Sequence, residues 1–166
     1  MTDPTSISIH PLDAEELNVP TAMLALSTFR HCEEAISLAL DRAGTDGQLI
    51  IAYIVDINLA RYFIGSDVGL YEKLKSRCEQ EILEQHRRTA RSRVREIVRR
   101  AETRSISVKV HIRSGRFALK ILELLRSYQP ELIITTRSNR PQWVKQFFGS
   151  PVDMLIKRAP CPVIEV

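Results

Sequence analysis

Glycines are few and cysteines are odd in number, and both facts narrow what this sequence encodes. Six glycines in 166 residues are spread too thinly for a glycine-rich phosphate loop. Neither G-x-G-x-x-G after the first apolar run nor a Walker-type loop ending in Lys-Ser/Thr is present. The three cysteines, Cys32, Cys78 and Cys161, lie far apart, which argues against a disulfide framework and against a cysteine-based zinc site. His10, His31, His86 and His111 are equally scattered, so no metal site is expected. No apolar run approaches the roughly 18 residues that a membrane helix needs. The opening MTDPTSISIHPLDAEEL lacks the basic-then-apolar order of a signal peptide, and a cytoplasmic protein is expected. The Gly-x-Ser-x-Gly elbow is missing. The end of the first strand, LSTFRH, offers no acid to hold magnesium. No carboxylate pair falls in a predicted strand-end loop, so general acid–base chemistry has no home. A non-enzyme is expected.

What is present reads as one α/β domain, residues 21–166, behind an extension, residues 1–20, punctuated by Pro4, Pro11 and Pro20. Hydrophobic residues at 44% against 27% charged fit a soluble globular chain. TAMLAL (21–26) and QLIIAYIVD (48–56) are apolar runs suited to strands buried on both faces. Between them Ala35, Ile36, Ala39, Leu40 and Ala43 recur at helical spacing, and Gly44 is placed to end that helix. Residues 57–69 read as a loop. A long helix is predicted over 70–104, with a stripe of Leu70, Leu74, Cys78, Ile82, His86, Ala90, Val94, Val98 and Ala101. ISVKVHI (106–112) is a strand, followed by a turn and a helix stopped before Pro130. ELIITT, a short helix from Pro151 and PVIEV complete the chain. Strict βα alternation predicts a doubly wound, Rossmann-like parallel sheet with helices on both faces. Ligands of such sheets bind outside the carboxyl ends of the strands, where strand order reverses.

The net charge of +4 is unevenly spread. Residues 1–20 carry four acidic and no basic side chains, whereas 87–104 carry eight arginines against Glu96 and Glu102. A basic run of this kind suits nucleic acid, an anionic membrane or an acidic partner. It also suits a solvated helix face partly covered by the acidic extension, and this reading is favoured because charge runs usually solvate helices. The run lacks interleaved aromatics, and nucleic acid is not expected as a partner. Cys32 beside Arg30 and His31 has the setting of an activated thiol, but a small side chain filling a helix–sheet contact is the favoured role.

The most informative stretch is TTRSNRPQWVKQFFGSP, between the fourth predicted strand and the last helix. Gly149-Ser150 is followed by a short helix, then by Ala159-Pro160-Cys161-Pro162-Val163 and a final apolar strand. In that order the C-terminal third resembles the universal stress protein family. AMLALSTFRHCEEAISLALDRA, QLIIAYIVD and the spacing of Val110, Gly115 and Ile121 carry the resemblance back to residue 21. It implies five parallel strands in the order 3-2-1-4-5 and, in the family's ATP-binding branch, a nucleotide crevice between strands 1 and 4. That branch uses Gly-x2-Gly-x9-Gly-Ser/Thr after strand 4. Here Thr136 and Asn139 stand where the first two glycines belong, and Ser27 stands where an aspartate faces the nucleotide. The crevice equivalents are Ser27, Ile54, Thr136, Asn139, Arg140, Gly149 and Ser150.

Glycine serves such loops by reaching positive φ and by admitting phosphate close to backbone N–H groups. β-branched Thr136 resists that conformation, and in an extended backbone its side chain takes phosphate space. Pro141 removes a donor, while Trp143, Phe147 and Phe148 add bulk. Some anion-binding character stays: Ser150-Pro151-Val152-Asp153 reads as a helix N-cap, and Arg137 and Arg140 add charge, with Arg30 expected opposite. A regulatory stress protein without family-type ATP binding is therefore expected, with no cofactor and an unidentified protein partner. The alternative is an adenine-nucleotide sensor, binding ATP or a relative and acting on a transporter or kinase. The resemblance further implies a homodimer through residues 163–166.

Overall fold

The computed structural model describes residues 20–28, 30–56, 72–137 and 150–166, with helix side chains from Ser76 onward. Strand β1 (Thr21–Ser27) leads to helix α1 (Glu33–Ala43) and strand β2 (Gln48–Asp56). Helix α2 (Glu72–Glu102), strand β3 (Ser107–Gly115) and helix α3 (Phe117–Tyr128) follow. Strand β4 (Leu132–Thr135), helix α4 (Pro151–Arg158) and strand β5 (Val163–Glu165) complete the order. All neighbouring strands pair in parallel, in the order β3-β2-β1-β4-β5. The expected extension, the loop 57–69 and the stripe positions Leu70 and Leu74 lie outside the described residues or side chains.

The continuous apolar runs of β1 and β2 resolve into two faces because successive side chains alternate across a strand. Ala22, Leu24 and Leu26, with Leu49, Ile51, Tyr53 and Val55, face α1 and α2. Met23 and Ala25, with Ile50, Ala52 and Ile54, face α3 and α4. Both faces are thus buried, as a parallel sheet demands. Helix α1 starts at Cys32, whose sulfur accepts from the Ala35 N–H at 3.4 Å, and Glu33 and Glu34 complement its positive end. It ends at Gly44, whose φ of 67° and ψ of 175° form a backbone conformation that glycine adopts freely and other residues avoid. Cys32 is therefore a helix cap packed against the core.

Two sequence expectations need revision. The buried stripe of α2 is Ala90, Val94, Ile97 and Ala101. Ile97 is fully buried, and Leu83 packs on this core instead of Ile82. A step of 3.6 residues lets the stripe drift between i+3 and i+4 positions over 31 residues. Strand β3 also runs to Gly115, three residues beyond the expected end, because Arg113, Ser114 and Gly115 pair with Ile54, Val55 and Asp56. Backbone pairing with β2 sets that length whatever side chains β3 carries. Part of the arginine run is absorbed by ion pairs. Arg100 meets Glu33 at 2.7 Å and Arg104 meets Asp41 at 2.6 Å, joining α2 to α1, while Arg87, Arg88 and Arg91 gather around Glu84. These pairs are solvent-exposed, so each is worth at most about 1 kcal/mol.

The α1–β2 turn offers a contrast between two glycines. A Cβ at Gly47 would sit 1.6 Å from the Ala43 carbonyl oxygen, a backbone atom that cannot swing aside, whereas one at Gly44 meets nothing within 4 Å. Gly47→Ala is expected to cost about 3 kcal/mol, and Gly44→Ala about 1 kcal/mol through its positive φ alone. Urea unfolding midpoints of the two variants check the order and size.

Candidate functional site

In the order β3-β2-β1-β4-β5, connections leave β1 in opposite directions on its two sides. The crevice between the carboxyl ends of β1 and β4 is therefore the topological switch point. Ser27 closes β1 and pairs with Ile54 of β2. Across the crevice, Thr135 of β4 pairs with Ala25, and its hydroxyl donates to the Ala25 carbonyl at 2.9 Å. Thr136 follows directly. Ser27, Ile54 and Thr136 are all buried and meet at this one end of the sheet. Asn139, Arg140 and Gly149, with Pro141, Trp143, Phe147 and Phe148, lie outside the described residues.

Thr136 keeps out of the left-handed region: the described non-glycine residues with positive φ are Asp46, Ser105 and Gln129. Its side chain is 3% exposed, and among the described residues its Oγ1 has no hydrogen-bond partner. A buried hydroxyl without a partner is destabilising, and it is open to a ligand acceptor or donor. Ser150 is spent elsewhere. Its Oγ accepts from the Asp153 N–H at 3.3 Å, capping α4 with Pro151 in the first turn. That is the N-cap read from the sequence, and Asp153 adds the acid that favours this helix end.

The structure adds a residue that the sequence placed only loosely. Immediately after β1 the chain folds back in a narrow turn. The Ser27 N–H donates to the Arg30 carbonyl at 3.1 Å, and the Arg30 N–H donates to the Ser27 carbonyl at 2.9 Å. This turn fixes Arg30 at the mouth of the crevice, where it is 2% exposed. Its guanidinium donates to the Thr136 carbonyl at 2.5 Å and lies 4.9 Å from the centre of the Phe117 ring, the first residue of α3. Arg30 thus ties the end of β1 to the end of β4 and to α3. Arginine stays charged at any physiological pH, so the crevice holds a fixed positive charge. Neighbouring His31 does not add to it: burial, and then the Arg93 guanidinium, lower its pKa below the usual 6.5.

Asp56 was missed in the sequence. It is 5% exposed at the carboxyl end of β2, paired with Gly115. The available signal was a carboxylate abruptly closing a run of eight buried positions. Arg30 was expected opposite Arg137 and Arg140 as a charge, but nothing in the sequence announced its burial, because a charged residue between a strand and a helix usually faces solvent.

Comparison with known proteins follows the same lines. The model of the universal stress protein family matches residues 21–166. No curated protein matches the chain by sequence. Among solved structures, the chain is similar to the universal stress protein UspA from Lactobacillus plantarum at 22% identity and a TM-score of 0.65, covering 88% of this chain and 97% of that one. It is also similar to a universal stress protein family protein from Arabidopsis thaliana with AMP bound, at 14% identity and a TM-score of 0.51, covering 89% and 91%. A universal stress protein in complex with cAMP aligns at 16% identity and a TM-score of 0.50, covering 89% and 96%. At these identities the likeness establishes the fold.

The two adjacent threonines are expected to behave oppositely. Thr135→Val removes a satisfied buried hydrogen bond and lowers stability by about 1–2 kcal/mol. Thr136→Val removes an unsatisfied hydroxyl and leaves the ligand-free protein equally or more stable, by up to about 1 kcal/mol. Thermal unfolding without added nucleotide checks the pair.

Proposed function

The chain belongs to the universal stress protein family, and on that premise we propose that it is a regulatory, non-catalytic member whose crevice does not take ATP in the family manner. One observation carries this reading. The guanidinium of Arg30 crosses the crevice between β1 and β4, bonded to the Thr136 carbonyl and packed on Phe117. A nucleotide entering between those strands has to displace a side chain that is already desolvated and held. Thr136 in place of the first motif glycine adds a Cβ and a hydroxyl at the point where a phosphate needs bare backbone. The protein acts in this reading through partners, in the cytoplasm, as a pair of identical subunits. Half-buried Val163, Ile164 and Val166 at the β5 end give the second subunit an apolar edge to pair with.

A second reading, an adenine-nucleotide sensor, is favoured by the unpartnered Oγ1 of Thr136 beside a fixed positive charge. Relatives with bound AMP and cAMP make a monophosphate the natural candidate. In this reading the guanidinium is the ligand's partner and the hydroxyl completes the site.

Isothermal calorimetry separates the two. The regulatory reading expects no ATP heat below about 1 mM, a floor of roughly −4 kcal/mol, and no ADP release. Micromolar ATP binding with hydrolysis overturns it. The sensor reading expects AMP to bind, and Thr136→Val to weaken it by about tenfold, the loss of one ligand hydrogen bond. The subunit pairing is checked separately by sedimentation: a monomer at tens of micromolar removes the dimer from the proposal.

A further inference from the structure

At the opposite end of the sheet, away from the crevice, the last turns of α3 and α4 border a groove of about 670 Å³. Its floor is apolar, from Leu122, Leu125, Pro130 and Cys161, and Arg126 and Arg158 stand on its rim. Cys161 and Leu122 are packed partly into the core behind it. Both arginines are exposed, and among the described residues neither has an ion-pair partner. They sit in the last turns of α3 and α4, where helix dipoles present partial negative charge. Without them the groove would repel carboxylates. With them it accepts a ligand that is apolar along one side and acidic along the other.

The chain itself supplies such a segment at the same end of the molecule. The Pro20 carbonyl accepts from Gln48 N–H at 2.9 Å, and the Thr21 carbonyl accepts from Glu131 N–H at 2.9 Å. Pro20, where the described chain begins, therefore lies at the starts of β2 and β4, close to Glu131, which follows the groove residue Pro130. The residues before Pro20 read Leu12-Asp13-Ala14-Glu15-Glu16-Leu17-Asn18-Val19. Three carboxylates are bracketed by two leucines, and no basic side chain precedes β1. An extended chain covers about 3.3 Å per residue, so these eight residues reach about 26 Å. Tethering this close gives an effective concentration in the millimolar range, enough to fill a site of weak intrinsic affinity.

We propose that the groove between α3 and α4 is the docking site of the chain's own acidic segment 12–19, its leucines on the apolar floor and its carboxylates against Arg126 and Arg158. This rests on nothing in the crevice and stands whether or not a nucleotide binds there. Docked, the segment covers Cys161 and hides the groove from any other acidic, apolar partner.

Cys161 provides the readout. In a full-length C32S/C78S background it is the sole thiol, and the serine hydroxyl that replaces the Cys32 sulfur keeps an acceptor at the cap of α1. Slow maleimide labelling of Cys161 is expected. The triple reversal D13K/E15K/E16K should accelerate it by about tenfold, the factor corresponding to about 1.4 kcal/mol of lost docking. The reversal R126E/R158E should accelerate it as well. That arm is decisive, because adding negative charge near a thiol disfavours the thiolate and by itself slows labelling. Combining all five substitutions should restore slow labelling. Unchanged rates in either reversal overturn the proposal. So does protection that grows with protein concentration, which assigns the groove to a second copy, and so does protection that requires added decanoate, which assigns it to a free amphiphile.

Discussion

The two central strands cannot leave a face to water, and the arrangement of the helices around them is a consequence of meeting that demand. β1 and β2 are apolar on both sides, so helices must cover both. The right-handed βα crossovers then put α1 and α2 on one face and α3 and α4 on the other. Covering both faces in this way reverses strand order at β1 and opens a crevice between the ends of β1 and β4. The crevice is thus forced by the burial requirement, whatever the protein does with it. What the sequence can vary is the lining. In this chain the lining includes a buried guanidinium.

Burying that charge has a cost which the local structure visibly offsets. Taking a guanidinium out of water is unfavourable by several kcal/mol unless partners replace its hydration. The Thr136 carbonyl supplies a charge-assisted hydrogen bond. The Phe117 ring supplies a cation–π contact, worth more in a desolvated site than at a surface. Both are geometrically fixed: the carbonyl by the end of β4, the ring by the start of α3, and the arginine by its two-bond turn with Ser27. Arg30 is consequently a structural tie as well as a charge. A ligand that competes for it must also loosen the contact between β1 and β4.

How much of this could be read from sequence depended on how local the determining physics is. The two central strands, the end of α1 at Gly44 and the cap Ser150-Pro151 announce themselves within a few residues, and each stands where the sequence placed it. Strand β3 overran its expected end because its length is set by the nine residues of β2 alongside it. A strand's own side chains do not carry that information. Ile97 was missed for a related reason: over a long helix the buried stripe drifts, and only the packing surface shows which of two adjacent apolar residues turns inward. The tie between Arg30 and Thr136 spans 106 positions in the chain, and no local pattern encodes it. Thr136 itself was legible, since a β-branched residue at a motif glycine is a local conflict. Its consequence, an unpartnered hydroxyl, depended on what surrounds it.

The two ends of the sheet then carry opposite arrangements. At the carboxyl end, positive charge is buried inside the fold, fixed by backbone and ring, and any ligand has to compete with protein atoms already in place. At the amino end, Arg126 and Arg158 are exposed, have no ion-pair partner among the described residues and line a groove with Leu122, Leu125, Pro130 and Cys161. A buried, tied charge selects for what fits and resists exchange. Exposed charges over an apolar groove accept a segment that comes and goes, because little has to be dismantled on release. Under the proposed role through partners, the second arrangement suits exchange and the first suits stability. The Arg30 contacts in the crevice the fold imposes hold β1, β4 and α3 together, and the proposed docking is left to the other end, where nothing buried has to be dismantled.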